Sequence, residues 1–141
     1  EGNDQTKQLT TELLAVMEQD GVDFTVFFNN LTNVAEGELD QVLIDLFNDS
    51  NVASALIKQW QDLRAKDNGT LLSMRLANPA VIARNHQVQF AIDAAVEGND
   101  FSPFRRLGRV LANPYRIDPA DYELMTPPKS EQRVTQTFCG T

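Results

Sequence analysis

Few side chains in this chain have the chemistry for a reaction. There is one cysteine, Cys139, in the closing "TFCGT", and one histidine, His86, within "RNHQ". A thiol reacts through its thiolate and with whatever it meets. The residues alone therefore leave Cys139 two roles, an inert tail cysteine or a tethered redox partner for a cysteine elsewhere. An independent thiol enzyme is a third reading, and it would need His86 as its base. A lone His and a lone Cys make no zinc-type ligand set. His86, one turn from Ile82 and Phe90, reads as structural.

Other polar groups cluster in two places. "FRRLGR" carries Arg105, Arg106 and Arg109 away from a Phe104, Leu107, Leu111 face. In an acidic protein these pair with nearby carboxylates, while a phosphate contact would call for a Gly-rich loop that is not there. "NPAVIARN" places Asn78, Arg84 and Asn85 close together. A helical stripe of Val81, Asn85, Val88, Ile92 and Ala95 would bury the Asn85 amide, which must then be hydrogen-bonded. Asn78, Arg84 and Asn85 are thus expected to form a structural polar clamp, with a contact to a further domain as the other reading. Carboxylate pairs such as those in "EGELD" follow from 20 acidic residues and read as solvated faces. The sequence holds no Walker loop, HExxH, EF-hand loop or CxxC. No catalytic, cofactor-binding or metal-binding residue is therefore assigned to it.

The elements that must position these groups read as helices. Leu9, Leu13 and Val16 form a stripe from Asp4 to Gln19 that stops near Gly21. Asp23 is an N-cap for a second helix with Phe24, Phe27 and Phe28. Leu39, Leu43, Leu46 and Phe47 mark a third. Asp49 or Ser50 caps a fourth, with Val52, Leu56, Trp60 and Leu63 on one face. Asn78 as cap and Pro79 at the first helical position predict a helix closed by Gly98. Ser102 and Pro103 predict another that stops before Pro114. No segment alternates with period two. The expected fold is all-α, six or seven packed helices over residues 1–112, followed by an extended Pro-rich tail over 113–141. Ordering that tail costs on the order of 1 kcal/mol per residue. Tyr115, Ile117, Tyr122, Leu124, Met125 and Phe138 are its expected anchors.

A net charge of −8 and a pI near 4.5 repel phosphate backbones and anionic lipid. Nucleic acid and membrane are accordingly not expected partners. A single cysteine excludes an internal disulfide framework and points to a reducing compartment. The chain opens on "EGNDQTKQL" without Met and is expected to be a piece of a longer protein.

"NPAVIARNHQVQFAIDAAVEGNDFSPFRRLGRVLANPY", followed by a Pro-rich stretch and a terminal Cys with two small residues, closely resembles one family. It is similar to the C-terminal region of the selenoprotein O (YdiU) protein adenylyltransferases, which have a pseudokinase fold. "DFTVFFNNL" and "W-x-x-L-R" ahead of "M-x-x-x-NP" extend the likeness over essentially the whole chain. The resemblance implies an N-terminal kinase-like domain that binds ATP with magnesium and moves AMP to Ser, Thr or Tyr hydroxyls of proteins. None of that machinery maps onto these positions, so the region itself would be structural and regulatory. Its implied partner is its own kinase-like domain, with a homodimer through exposed apolar surface as a further expected association. The implied location is the cytoplasm in a bacterium and the mitochondrion in a eukaryote. Cys139 matches the family's terminal cysteine, with Cys-Gly-Thr in place of Cys-Ser-Ser. The resemblance thereby implies redox pairing with a cysteine of the activation segment. A stand-alone helical interaction module with an ordered tail is the alternative reading.

Overall fold

The computed structural model describes residues 2–65, 69 and 71–133, and every regular element among them is helical. The fold is all-α. Helices α1 (Gly2–Asp20), α2 (Phe24–Glu36), α3 (Gln41–Ile44), α4 (Ser50–Arg64), α5 (Leu71–Ala77), α6 (Asn85–Gly98) and α7 (Ser102–Leu111) follow in order. Two 3₁₀ helices, Pro119–Met125 and Ser130–Gln132, lie within the Pro-rich tail. The chain divides into two compact units between Asn78 and Pro79, so residues 112 and 113 fall together inside the second. Cys139 and Phe138 lie outside the described residues.

In the first unit, Leu9, Leu13 and Met17 of α1 project one turn apart into a core with Phe27 and Leu31 of α2, Leu43, Phe47 and Leu56. Phe27 is fully buried and meets the rings of Phe28 and Phe47 edge-on, at 5.2 and 5.7 Å between centroids. Both N-caps expected here form. The Asp23 carboxylate accepts from the Val26 amide at 2.9 Å, and that of Asp49 accepts from the Asn51 and Val52 amides at 2.9 and 3.2 Å. Gly37 ends α2 at φ 117°. Its amide donates to Val34 O and the Glu38 amide to Asn33 O, a Schellman closure that needs the left-handed residue. The third helix is a single turn, because Leu46 and Phe47 continue as turn rather than helix. α5 has no counterpart among the helices read from the sequence.

The second unit corrects one expected boundary. α6 begins at Asn85, not after Asn78. The intervening residues are held by a tertiary bond instead of an intrahelical one: the amides of Ala80 and Val81 both donate to Pro114 O, at 2.7 and 3.3 Å. Ala80 and Val81 then pack with Val110 of α7, and Leu111, Ile117, Leu124 and Met125 lean against them. Three expected tail anchors therefore serve as such, while Tyr122 is 55 % exposed. α7 also departs in detail. The amide of Ser102 donates to the Asp100 carboxylate at 2.9 Å, so Asp100, rather than the Ser102 hydroxyl, supplies the oxygen at this helix start.

Candidate functional site

The polar geometry of the second unit is built on α7. Arg106 and Arg109 are three residues apart, which puts both guanidinium groups on one side of the helix. Opposite them stands Asp121, on the 3₁₀ helix that Asp118 caps through the Ala120 amide at 2.9 Å. Asp121 is 2 % exposed. Its Oδ1 accepts from Arg106 Nε at 2.7 Å, and its Oδ2 accepts from Arg109 Nη2 at 2.9 Å. Arg106 reaches further, donating from Nη2 to Ala120 O at 2.6 Å and from Nη1 to the Glu123 carboxylate. One buried carboxylate shared by two guanidinium groups is the arrangement that keeps a buried charge tolerable. The Arg106 hydrogen bond, aided by Arg109, holds the Asp121 carboxyl below the usual carboxylate range.

Beside this clamp, α6, α7 and the two 3₁₀ helices enclose a cleft of about 250 Å³. His86, Gln87 and Phe90 line it from α6, Leu107 from α7, and Leu124 and Gln132 from the tail. Gln87 Nε2 donates to Leu124 O at 2.8 Å, which ties the tail to α6 and fixes the orientation of the amide. Its Oε1 is buried without a hydrogen-bond partner, and so is Nδ1 of His86. Burial, and after it the charge of Arg84, lowers the His86 pKa below the ordinary imidazole value. His86 is thus neutral at neutral pH.

The residues singled out in the sequence meet different fates. Two of the three arginines pair with carboxylates as expected, Arg106 and Arg109 with Asp121 and Glu123, while Arg105 is exposed. Of the expected clamp, Asn78 lies in the first unit, and Arg84 and Asn85 lie in the second. Asn78 Nδ2 donates to the buried Thr32 hydroxyl at 2.9 Å, in the first unit. Nearby, Arg75 donates to both Glu36 oxygens, at 3.2 and 2.7 Å, and to Asn33 Oδ1 at 2.7 Å. Arg84 is buried just ahead of α6. Asn85 is exposed at the first turn, because a stripe counted from Asn78 presupposes a helix that has not yet begun. The Cys139–His86 pairing of a thiol enzyme falls outside the described residues. Among those residues no group of three or more His, Cys, Asp or Glu side chains is placed to hold a metal ion, and no helix is long and apolar enough to cross a membrane.

Sequence reasoning missed Asp121. The sign available was an acidic "DPADYE" run directly after a basic helix, with Asp118 and Pro119 announcing a helical start.

No protein-family model matches the chain. It is similar to proteins named protein nucleotidyltransferase YdiU. That of Rhizobium etli is 39% identical over 139 residues, spanning 95% of this chain and 28% of the relative. That of Maridesulfovibrio salexigens is 37% identical over 139 residues, with 96% and 28% covered. That of Shewanella denitrificans is 41% identical over 140 residues, with 91% and 28% covered. The chain spans little more than a quarter of the length of these relatives, at 28% in each case.

Proposed function

We propose that this chain, which belongs to the family of the protein nucleotidyltransferases YdiU, is the helical C-terminal region of an enzyme transferring AMP from ATP to protein hydroxyls. ATP and magnesium would be bound by the remainder of that enzyme, in a kinase-like domain. The helical C-terminal region would buttress that domain and control it, and would supply no reacting group to the AMP transfer itself. A cytoplasmic location in a bacterium, or a mitochondrial one in a eukaryote, goes with this reading.

One observation carries the reading: near-complete coverage of this chain by relatives of which it covers 28%. The geometry supports a structural role for the same residues. Arg106 and Arg109, the side chains best suited to a phosphate, are engaged by the chain's own Asp121 and Glu123. They fasten the start of the Pro-rich tail to α7. A tail anchored through Gln132 would leave Cys139 a reach of about 25 Å, at roughly 3.5 Å per extended residue. On this reading Cys139 is a tethered redox group for a cysteine of the kinase-like domain. Phe90, Val96 and Phe104, at 65, 79 and 63 % exposure, offer apolar surface for that domain or, in its absence, for a second copy of the chain.

The test is AMP transfer by the full-length protein, with and without Cys139→Ser, under reducing and oxidising conditions. Oxidation should change the rate of the parent and leave the Ser variant unaffected. Equal rates in all four cases would remove the redox role while leaving the family assignment intact.

A further inference from the structure

Helices α6 and α7, joined by a short connection, pack as an antiparallel pair whose two sides differ. The tail takes one side, where Phe90 of α6 and Pro103 and Leu107 of α7 line the cleft already described. At about 100° per residue, the other side of α6 carries Val88, Ile92 and Ala95. The other side of α7 carries Phe104 and Gly108, with Phe101 at its N-cap. Ile92, Phe101 and Phe104 are exposed, and no atom lies within 4 Å of a Cβ built on Gly108. This side is a second apolar face, in a unit whose buried apolar cluster is only Ala80, Val81 and Val110.

The face is complementary to itself in size. Ile92 lies six residues before Gly98, where α6 ends, and Gly108 lies six after Ser102, where α7 begins. Both stand about 9 Å from the connection, so the bulk of Ile92 is level with the hollow at Gly108. Closer to the connection, the Phe104 ring is level with the small Ala95. The outer edges are complementary in charge, with Asp93 exposed on α6 and Arg105 exposed on α7. Asp93 accepts from Gln89 of its own helix at 2.7 Å, and Arg105 acts on Asp100 through its charge. Within one chain each bulk sits beside its hollow and cannot fill it. A two-fold rotation about an axis parallel to the helices brings the two together, because it lays each α7 over the α6 of the other copy.

We propose that this face docks a second copy of the chain, the two hairpins closing an antiparallel four-helix bundle. Ile92 then fills the hollow at Gly108 of the second copy, Phe104 covers its Ala95, and Arg105 meets its Asp93. The match of size and charge under one two-fold axis is what selects a second copy over an unrelated helix. A face about 15 Å long and two helices wide buries on the order of 400 Å² per copy, half of what a stable complex buries. The dimer is therefore weak, and the dilute chain leaves Gly108 in solvent. The proposal does not rest on the family assignment.

Sedimentation equilibrium of the 141-residue chain tests it, from about 10 µM to about 1 mM, the range in which so small a contact associates. Monomer should give way to dimer across that range. Phe104→Ala changes an exposed side chain and should weaken the dimer about tenfold, and Gly108→Leu, which fills the hollow, should abolish it. Arg105→Asp should weaken it severalfold, and adding Asp93→Arg to that variant should restore it. A chain monomeric at about 1 mM, a dimer indifferent to Phe104→Ala and Gly108→Leu, or reversed charges that fail to restore association would each overturn the proposal. Every arm is read without nucleotide, so failure here leaves the AMP-transfer reading untouched.

Discussion

Residues 2–78 and 79–133 are both helical, and both join apolar burial to an ion pair, Arg75 with Glu36 in the first, yet in different proportions. The first unit closes around a continuous apolar cluster running from Leu9 to Ile57, with Phe27 at its centre. The second has a far smaller apolar cluster, Ala80, Val81 and Val110, and adds to it a buried carboxylate gripped by two arginines. Apolar burial scales with area and is indifferent to pH. An ion clamp is directional and titratable.

The largest effect should come from the first unit. Phe27→Ala removes a fully buried ring and its edge contacts with Phe28 and Phe47, which costs about 3–5 kcal/mol. Urea unfolding followed by the fluorescence of the single Trp60, which packs on this core, reports it. A loss below about 1 kcal/mol would mean that the core is not the principal support of residues 2–78.

The second unit should respond to acid. The folded pKa of Asp121 is depressed, so its contribution is present above the ordinary carboxylate value of about 4 and is lost as pH falls through the lower folded one. His86 is depressed too; its contribution is present above about 6.5 and fades as pH falls through its lowered value. Acidification should therefore loosen residues 79–133 in two stages, the imidazole first. Asp121→Asn, which keeps the shape and removes the charge, should erase the later stage. At neutral pH it should also speed hydrogen exchange severalfold at the Asp121 and Thr126 amides, which close the 3₁₀ turn onto Asp118 O and Glu123 O. Unchanged exchange at these amides would reduce the clamp to a surface ion pair.

The same contrast explains what the sequence made legible. Asp23 and Asp49 were readable as caps because a cap is satisfied within three residues of itself. The apolar stripe of α1 was readable for the same reason, its period being local. Asn78 and Pro79 imitate that grammar, but Pro114 O takes the following amides and Thr32 takes the Asn78 side chain. Both partners are more than thirty residues away, beyond any local signal. The clamp was half legible. Arginines in an acidic chain must pair, but the choice of Asp121 over its neighbours depends on how the 3₁₀ helix turns. α5, a short helix within "LLSMRLANP", lacks the length for periodicity to declare it.

The smallest effects compare the two units through their glycines. Gly37 sits at φ 117°, where a side chain is strained although nothing lies within 4 Å of an added Cβ. Gly37→Ala should destabilise by about 1–2 kcal/mol through backbone conformation alone. Gly108 lies in α7 with ordinary helical φ and equally open space. Gly108→Ala should stabilise by about 0.5–1 kcal/mol, since alanine loses less backbone freedom in a helix. Opposite signs from one substitution, read as opposite shifts of the denaturation midpoint, would show that α7 meets solvent at this position. A destabilising Gly108→Ala would instead mean that the Gly108 face is covered by another element or by a second copy of the chain.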